Sequence, residues 1–156
     1  MRLLVGRTAA PVLWLAFAAG VALSCNTAAS RADPKEAPLG LWLTQAGDAK
    51  VLIRQCGAAI CGEVTWLQEP IDSATGKPQR DEQNPDPRLR ARPMIGIELF
   101  ISMLPSAANA WSGRVYNANN GQTYAGSVAL RADGRLEVKR CSGPVCLSEM
   151  WTRVSR

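Results

Sequence analysis

The sequence predicts an all-β protein: an antiparallel up-and-down barrel of about eight strands with one long irregular loop. Three observations carry this. Short segments of period-two hydrophobicity follow one another from residue 40 to residue 154. Tight-turn signals separate them. Two Cys-x4-Cys pairs of identical spacing sit near the two ends of the series. No long segment shows a helical period.

The candidate strands, in order, are Gly40–Gln45, Lys50–Gln55, Cys61–Leu67, Met94–Met103, Ala110–Asn117, Gln122–Leu130, Arg135–Cys141 and Leu147–Val154. Met94–Met103 alternates most regularly, with Ile95, Ile97, Leu99 and Ile101 on one face and Glu98 and Ser102 on the other. Arg135–Arg140 sets Leu136 and Val138 against Arg135, Glu137 and Lys139. Ala46-Gly47-Asp48, Asn119-Asn120-Gly121 and Asp133-Gly134 mark turns, and the last two are hairpin signatures because Asn, Asp and Gly tolerate positive φ.

Eight consecutive short strands form a barrel or a sandwich, and closure removes the exposed edges. Gly40-Leu41-Trp42 opens the first strand, and Trp151-Thr152-Arg153 lies in the last. If those strands pair, Arg153 can lie over Trp42, a cation–π contact worth about 0.5–2 kcal/mol. The plainer alternative is a core Trp42 and a surface Arg153. Lipocalin-type barrels of the calycin class carry a similar Gly-x-Trp and closing Arg, a likeness of architecture.

The N-terminus reads as a leader. Met1–Arg7 carries two arginines, residues 8–23 are uncharged and mostly apolar, and small residues follow. The division expected is a signal peptide over 1–30, a linker over 31–38 and a barrel domain over 39–156. The uncharged run contains Pro11 and falls short of the roughly twenty apolar residues a spanning helix needs. The expected location is periplasmic or secreted. Cys25 has two readings. Either it is lipidated at a lipoprotein site after Ala22-Leu23-Ser24, tethering the protein to a membrane, or it is lost with a leader cleaved near Ala28–Ala32. Membrane contact is expected only through the leader or that lipid.

The 156 residues fit one domain. The formal charge is +5, and loss of Arg2 and Arg7 leaves a weakly basic +3. There is no basic stripe with stacking aromatics, so nucleic acid is not an expected partner. The chain has no histidine, which removes the commonest general base and metal ligand. No cofactor and no metal are expected.

Four cysteines remain, Cys56-Gly-Ala-Ala-Ile-Cys61 and Cys141-Ser-Gly-Pro-Val-Cys146. An oxidising compartment lets such pairs persist as disulfides. Residues facing each other across a hairpin have Cα atoms about 4.5–5.5 Å apart, within bridging range. Zinc sites favour Cys-x2-Cys, often with His, and thiol redox sites favour Cys-x-x-Cys. Neither spacing occurs, so local hairpin bridges are expected.

Glu69–Pro93 has no periodicity and five prolines, an unusually long irregular stretch for a compact domain. Arg88, Arg90 and Arg92 fall at alternate positions. They either pair internally with Asp81 and Asp86 or grip an anionic ligand. A calcium site at Asp81, Asn84 and Asp86 is a third reading, without the EF-hand spacing.

Several motifs in order carry a family likeness: Gly40-Leu41-Trp42-Leu43-Thr44, Cys56…Cys61-Gly62, Asn84-Pro85-Asp86-Pro87…Leu89-Arg90…Arg92-Pro93…Gly96, Trp111-Ser112-Gly113-Arg114-Val115-Tyr116-Asn117, Gly121-Gln122-Thr123-Tyr124 and Trp151-Thr152-Arg153-Val154. Over residues 39–155 the chain resembles the bacterial domain-of-unknown-function 2147 family of exported proteins. The resemblance implies an exported β-barrel-like domain with no assigned activity and no catalytic residues to carry over.

Three functions follow as expectations. The first is a monomeric, non-catalytic binding module that holds a small apolar or anionic ligand in the barrel or its mouth, with the 69–93 loop over the opening. Trp66, Trp111, Tyr116 and Tyr124 are the aromatic lining candidates, and ordinary core is the alternative for each. The second is an envelope-associated interaction module using the loop or an outer face. The third is a carboxylate-based enzyme using Asp81 with Asp86 or Glu63 with Glu98. No catalytic constellation appears, so no catalytic residue is assigned.

Overall fold

A computed structural model describes residues 37–155. The expectations for the leader, for Cys25 and for nearly all of the linker lie outside the described residues. Eight strands follow in order: β1 (Gly40–Leu43), β2 (Ala49–Cys56), β3 (Ala59–Leu67), β4 (Glu98–Ala107), β5 (Ala110–Asn117), β6 (Gln122–Leu130), β7 (Leu136–Ser142) and β8 (Val145–Ser155). Each pairs antiparallel with the next, and β8 pairs with β1, so the sheet closes into a barrel. The all-β, up-and-down architecture predicted from the sequence is the one observed.

Closure rests on the first and last strands. Trp42 faces Arg153 in the β1–β8 register, and the guanidinium carbon lies 4.2 Å from the Trp42 ring centroid. Arg153 Nη1 donates to the Leu39 carbonyl at 2.6 Å, and Trp42 Nε1 donates to the Pro38 carbonyl at 2.8 Å. The chain leading into β1 is thus held at the barrel end where Trp42 is fully buried. Ile53, Ile60, Met103, Trp111, Val128 and Leu136 pack in the same cluster. Apolar side chains from alternate positions of the strands supply it, as the pleat requires.

Strand β4 departs from the expected alternation. Met94–Ile97 is a turn rather than the start of a strand, with Gly96 at a φ of 97° and Ile97 N–H donating back to the Met94 carbonyl. Within β4 the buried residues are Phe100 and Met103, three apart, rather than Leu99 and Ile101. Ser102 takes a φ of 52° between them, and the pairing with β5 shifts register across this stretch. This is a bulge, which spends an extra residue and swaps the faces beyond it. Gly113 on β5 accommodates it. A Cβ there would lie 2.7 Å from the Ser102 carbonyl oxygen.

Both disulfides form as expected, Cys56–Cys61 and Cys141–Cys146. Their settings differ. Cys141 and Cys146 are direct partners across a hairpin that turns at Gly143-Pro144. Cys56 is opposite Ala59, and Cys61 is opposite Arg54, so this bridge runs diagonally. The chain turns in two residues, Gly57-Ala58, rather than the four expected between the cysteines.

Replacing Arg153 by Met keeps the apolar stem but removes the charge over Trp42 and the bond to Leu39. The first is worth about 0.5–2 kcal/mol and the second about 1.5–3 kcal/mol. Urea denaturation of Arg153→Met should show a loss of about 2 kcal/mol or more, and an unchanged midpoint would refute the clamp.

Candidate functional site

At the end of the barrel opposite Trp42 the interior is open. A cavity of about 710 Å³ lies there, between the β1–β2 turn, the β5–β6 turn and the beginning of the long β3–β4 connection. Its apolar surfaces come from Val64, Leu99, Phe100, Val115, Val138 and Trp151. Phe100 and Trp151 stack with ring centroids 5.2 Å apart. Gly62 makes that stack possible, because a Cβ there would fall 2.5 Å from the Phe100 ring. The opposing position on the neighbouring strand must therefore be bare.

Above the aromatic pair the wall turns polar. Arg140 Nη1 donates to Glu149 Oε1 at 2.6 Å, and Trp151 Nε1 donates to Glu149 Oε2 at 3.1 Å. Both oxygens of Glu149 are thus engaged in fixing one guanidinium and one indole. Strand periodicity places Arg140 here. It follows Leu136 and Val138 at the two-residue interval, so it shares their inward face. A second cavity of about 170 Å³ adjoins, and Arg140 and Asn117 line both.

The long connection is ordered around Asp81, which is fully buried. Tyr116 Oη donates to Asp81 Oδ1 at 2.6 Å. Oδ2 accepts from Asn84 Nδ2 at 2.7 Å and from Arg92 Nε and Nη2 at 2.9 and 2.7 Å. A buried carboxylate is tolerated only when paired and hydrogen-bonded, and this one has four donors. Arg90 Nε donates to the Asn84 carbonyl, and Arg88 pairs with Asp86. Gly121, at a φ of 69°, lets the Gln83 backbone lie against the β5–β6 turn, where any Cβ would collide with the Gln83 carbonyl.

Arg88, Arg90 and Arg92 therefore bind within the loop and do not converge on an open anion site. The Asp81 oxygens that a calcium ion would need accept from protein donors instead. Residues 81–92 fold beside β5 around this hub rather than over the mouth; Gln68, Glu69, Gln79 and Met94 are the residues of the connection that reach the cavity.

The aromatic candidates separate. Trp66 lies outside the cavity, on the outer face, with Lys50 Nζ 4.5 Å from its ring centroid. Trp111 is buried in the filled end of the core. Tyr116 borders the cavity, but its hydroxyl is committed to Asp81. Tyr124 lines the smaller cavity, its hydroxyl accepting from Asn120 at 2.8 Å. Glu63 and Glu98 are direct cross-strand partners, and neither lines a cavity. Sequence reasoning missed Phe100, Arg140, Glu149 and Trp151 as site residues. For Arg140 the signal was present, an arginine in phase with Leu136 and Val138.

Comparison with known proteins agrees with this geometry. Residues 40–153 match the sequence model of a family described as uncharacterized protein conserved in bacteria, DUF2147. A solved structure described as protein HP1028 from the human pathogen Helicobacter pylori, belonging to the lipocalin family, superposes with a TM-score of 0.62. It shares 23% identity, over 75% of this chain and 82% of that one. At that identity the likeness concerns the fold. No curated protein matches.

Burial, and then the hydrogen bond to Asp81, raise the Tyr116 hydroxyl above its ordinary value of 10.0. In the unfolded chain it ionises near that value, so the native state holds its proton to higher pH. The stabilisation is complete below about pH 10 and is lost as pH rises through the folded value. The sequence has two tyrosines, so tyrosinate absorbance can resolve the step. It should lie above pH 10 and vanish in Tyr116→Phe, whose stability should fall less steeply in alkali. A Tyr116 that ionises at or below 10 would contradict the hub.

Proposed function

We propose that this chain, which belongs to the DUF2147 family, is an exported, non-catalytic barrel that binds a small, largely apolar molecule in the open end of its barrel. The observation that carries the reading is the cavity of about 710 Å³ above the Phe100–Trp151 stack. Ligand sites typically occupy about 300–1,000 Å³, are mainly apolar, and carry a few placed polar groups. Here the floor is apolar and the surrounding wall is polar, with the Arg140–Glu149 pair set between them. Barrels of eight strands are wide enough to hold one small ligand.

Export is supported by the N-terminal leader pattern and by two local disulfides, which persist where the surroundings are oxidising. The rigid wall and the clamped long connection suit a pre-formed site. A pre-organised cup loses little ordering entropy when it is filled.

The test is occupancy. The fluorescent apolar probe N-phenyl-1-naphthylamine should bind the purified protein, brighten, and perturb Trp151 emission. Val138 lines the cavity, so Val138→Phe, with an unchanged circular dichroism spectrum, should weaken the probe at least about tenfold, or 1.4 kcal/mol. Equal binding by Val138→Phe would place the site elsewhere. Native mass spectrometry of protein taken from its own cell envelope should show a bound small molecule.

A further inference from the structure

The two adjoining cavities differ in chemistry. The larger has the aromatic stack as its apolar floor, and its rim carries Asp48 and Glu69 on the β1–β2 turn and the start of the long connection. The smaller lies under the β7–β8 hairpin, beside Tyr124 and Asn120. Its lining has one charged residue, Arg140, and no carboxylate; Ser142, Val145 and Leu147 complete that side. Arg140 is where the two meet.

Arg140 is also incompletely used. Nη1 is bonded to Glu149, while Nε and Nη2 have no protein partner among the described residues. Its side chain is 27% exposed, and the residue lines both cavities. Each oxygen of Glu149 accepts one of these bonds, so Glu149 holds the fork in place. A guanidinium presents paired N–H groups in a plane that matches carboxylate or phosphate oxygens. A volume of about 170 Å³ equals roughly five or six waters at 30 Å³ each, which is room for one such group.

We infer that the ligand is an anionic amphiphile, with its apolar body on the Phe100–Trp151 floor and a carboxylate or phosphate head in the smaller cavity on Arg140. The inference rests on the reading of the open end as a binding site. Arg140 is the specificity-determining residue, and Glu149 is the positioning residue that keeps its fork in the wall. The loop arginines, spent on Asp81, Asn84 and Asp86, take no part.

Calorimetry with decanoate, decyl phosphate, decanol and inorganic phosphate tests this. The two anionic amphiphiles should bind the native protein at least about tenfold more tightly than decanol, the range expected of a charge-assisted hydrogen bond. Inorganic phosphate alone should not bind measurably. Arg140→Gln should bring decanoate and decyl phosphate down to the decanol level and leave decanol unchanged. The double variant Arg140→Gln with Glu149→Gln leaves no uncompensated charge in the wall, and should do the same if the single variant folds poorly. Arg88→Gln should behave as the native protein.

Decanol binding as tightly as decanoate, or an equal loss of both in the Arg140 variants, would overturn the headgroup assignment while leaving the cup intact. Inorganic phosphate binding as tightly as decyl phosphate would make the smaller cavity a free-phosphate site and overturn the amphiphile. Failure of every amphiphile and of the naphthylamine probe would overturn the cup itself.

Discussion

The pairing of β1 with β8 turns an eight-strand meander into a closed wall, and the geometry of that one seam sets what the rest of the molecule can do. β1 is four residues long and β8 is eleven. The two can match only at the C-terminal end of β8, where Arg153 lies over Trp42. That end of the barrel is therefore drawn tight and filled. Among the described residues, Val145–Met150 on β8 have no β1 partner, although the Met150 N–H finds Gln45 Oε1 at 2.8 Å. The β7–β8 hairpin consequently runs past the seam and stands as a lip at the open end. A short first strand and a long last one thus produce a filled base and an unfilled mouth from a single constraint.

The lip must hold its shape without a neighbour on one side. The Cys141–Cys146 bridge joins directly opposed residues close to its tip. The inner face carries Arg140, Ser142, Val145 and Leu147, and the bridge lies on the other face, so the crosslink stiffens the hairpin without filling the cavity. Val145 and Leu147 are 65% and 58% exposed.

The long connection poses the opposite problem, order without a regular ladder. A loop of this length must satisfy its own backbone and charged groups. Here one carboxylate does much of that. Asp81 accepts from a residue three positions on, from an arginine eleven positions on and from a tyrosine on β5. The Asp81 N–H also donates to the Arg92 carbonyl, which closes the segment into a ring. The same contacts consume the arginines that in the sequence alone look like an anion grip. Charge density in a loop was a sign of internal structure, and the cation that lines both cavities is Arg140, embedded in strand β7.

The sequence alone determined the series of eight strands and the two local disulfides, because each rests on spacing within a few residues, and it offered the Trp42–Arg153 contact as one of two readings that the closed meander then decided. It also held the inward phase of Arg140. It could not determine the faces of β4, because the register shifts between Glu98 and Phe100 against β3 and again across Ser102 against β5, and no local pattern marks either shift. Nor could it determine which aromatics meet. Phe100 reaches Trp151 only because Gly62, on a strand paired to neither Trp151 nor β8, leaves the space. Whether the barrel was filled or hollow was likewise a tertiary matter. It depends on how side chains from eight strands share one interior volume, and that sum has no signature in any one segment.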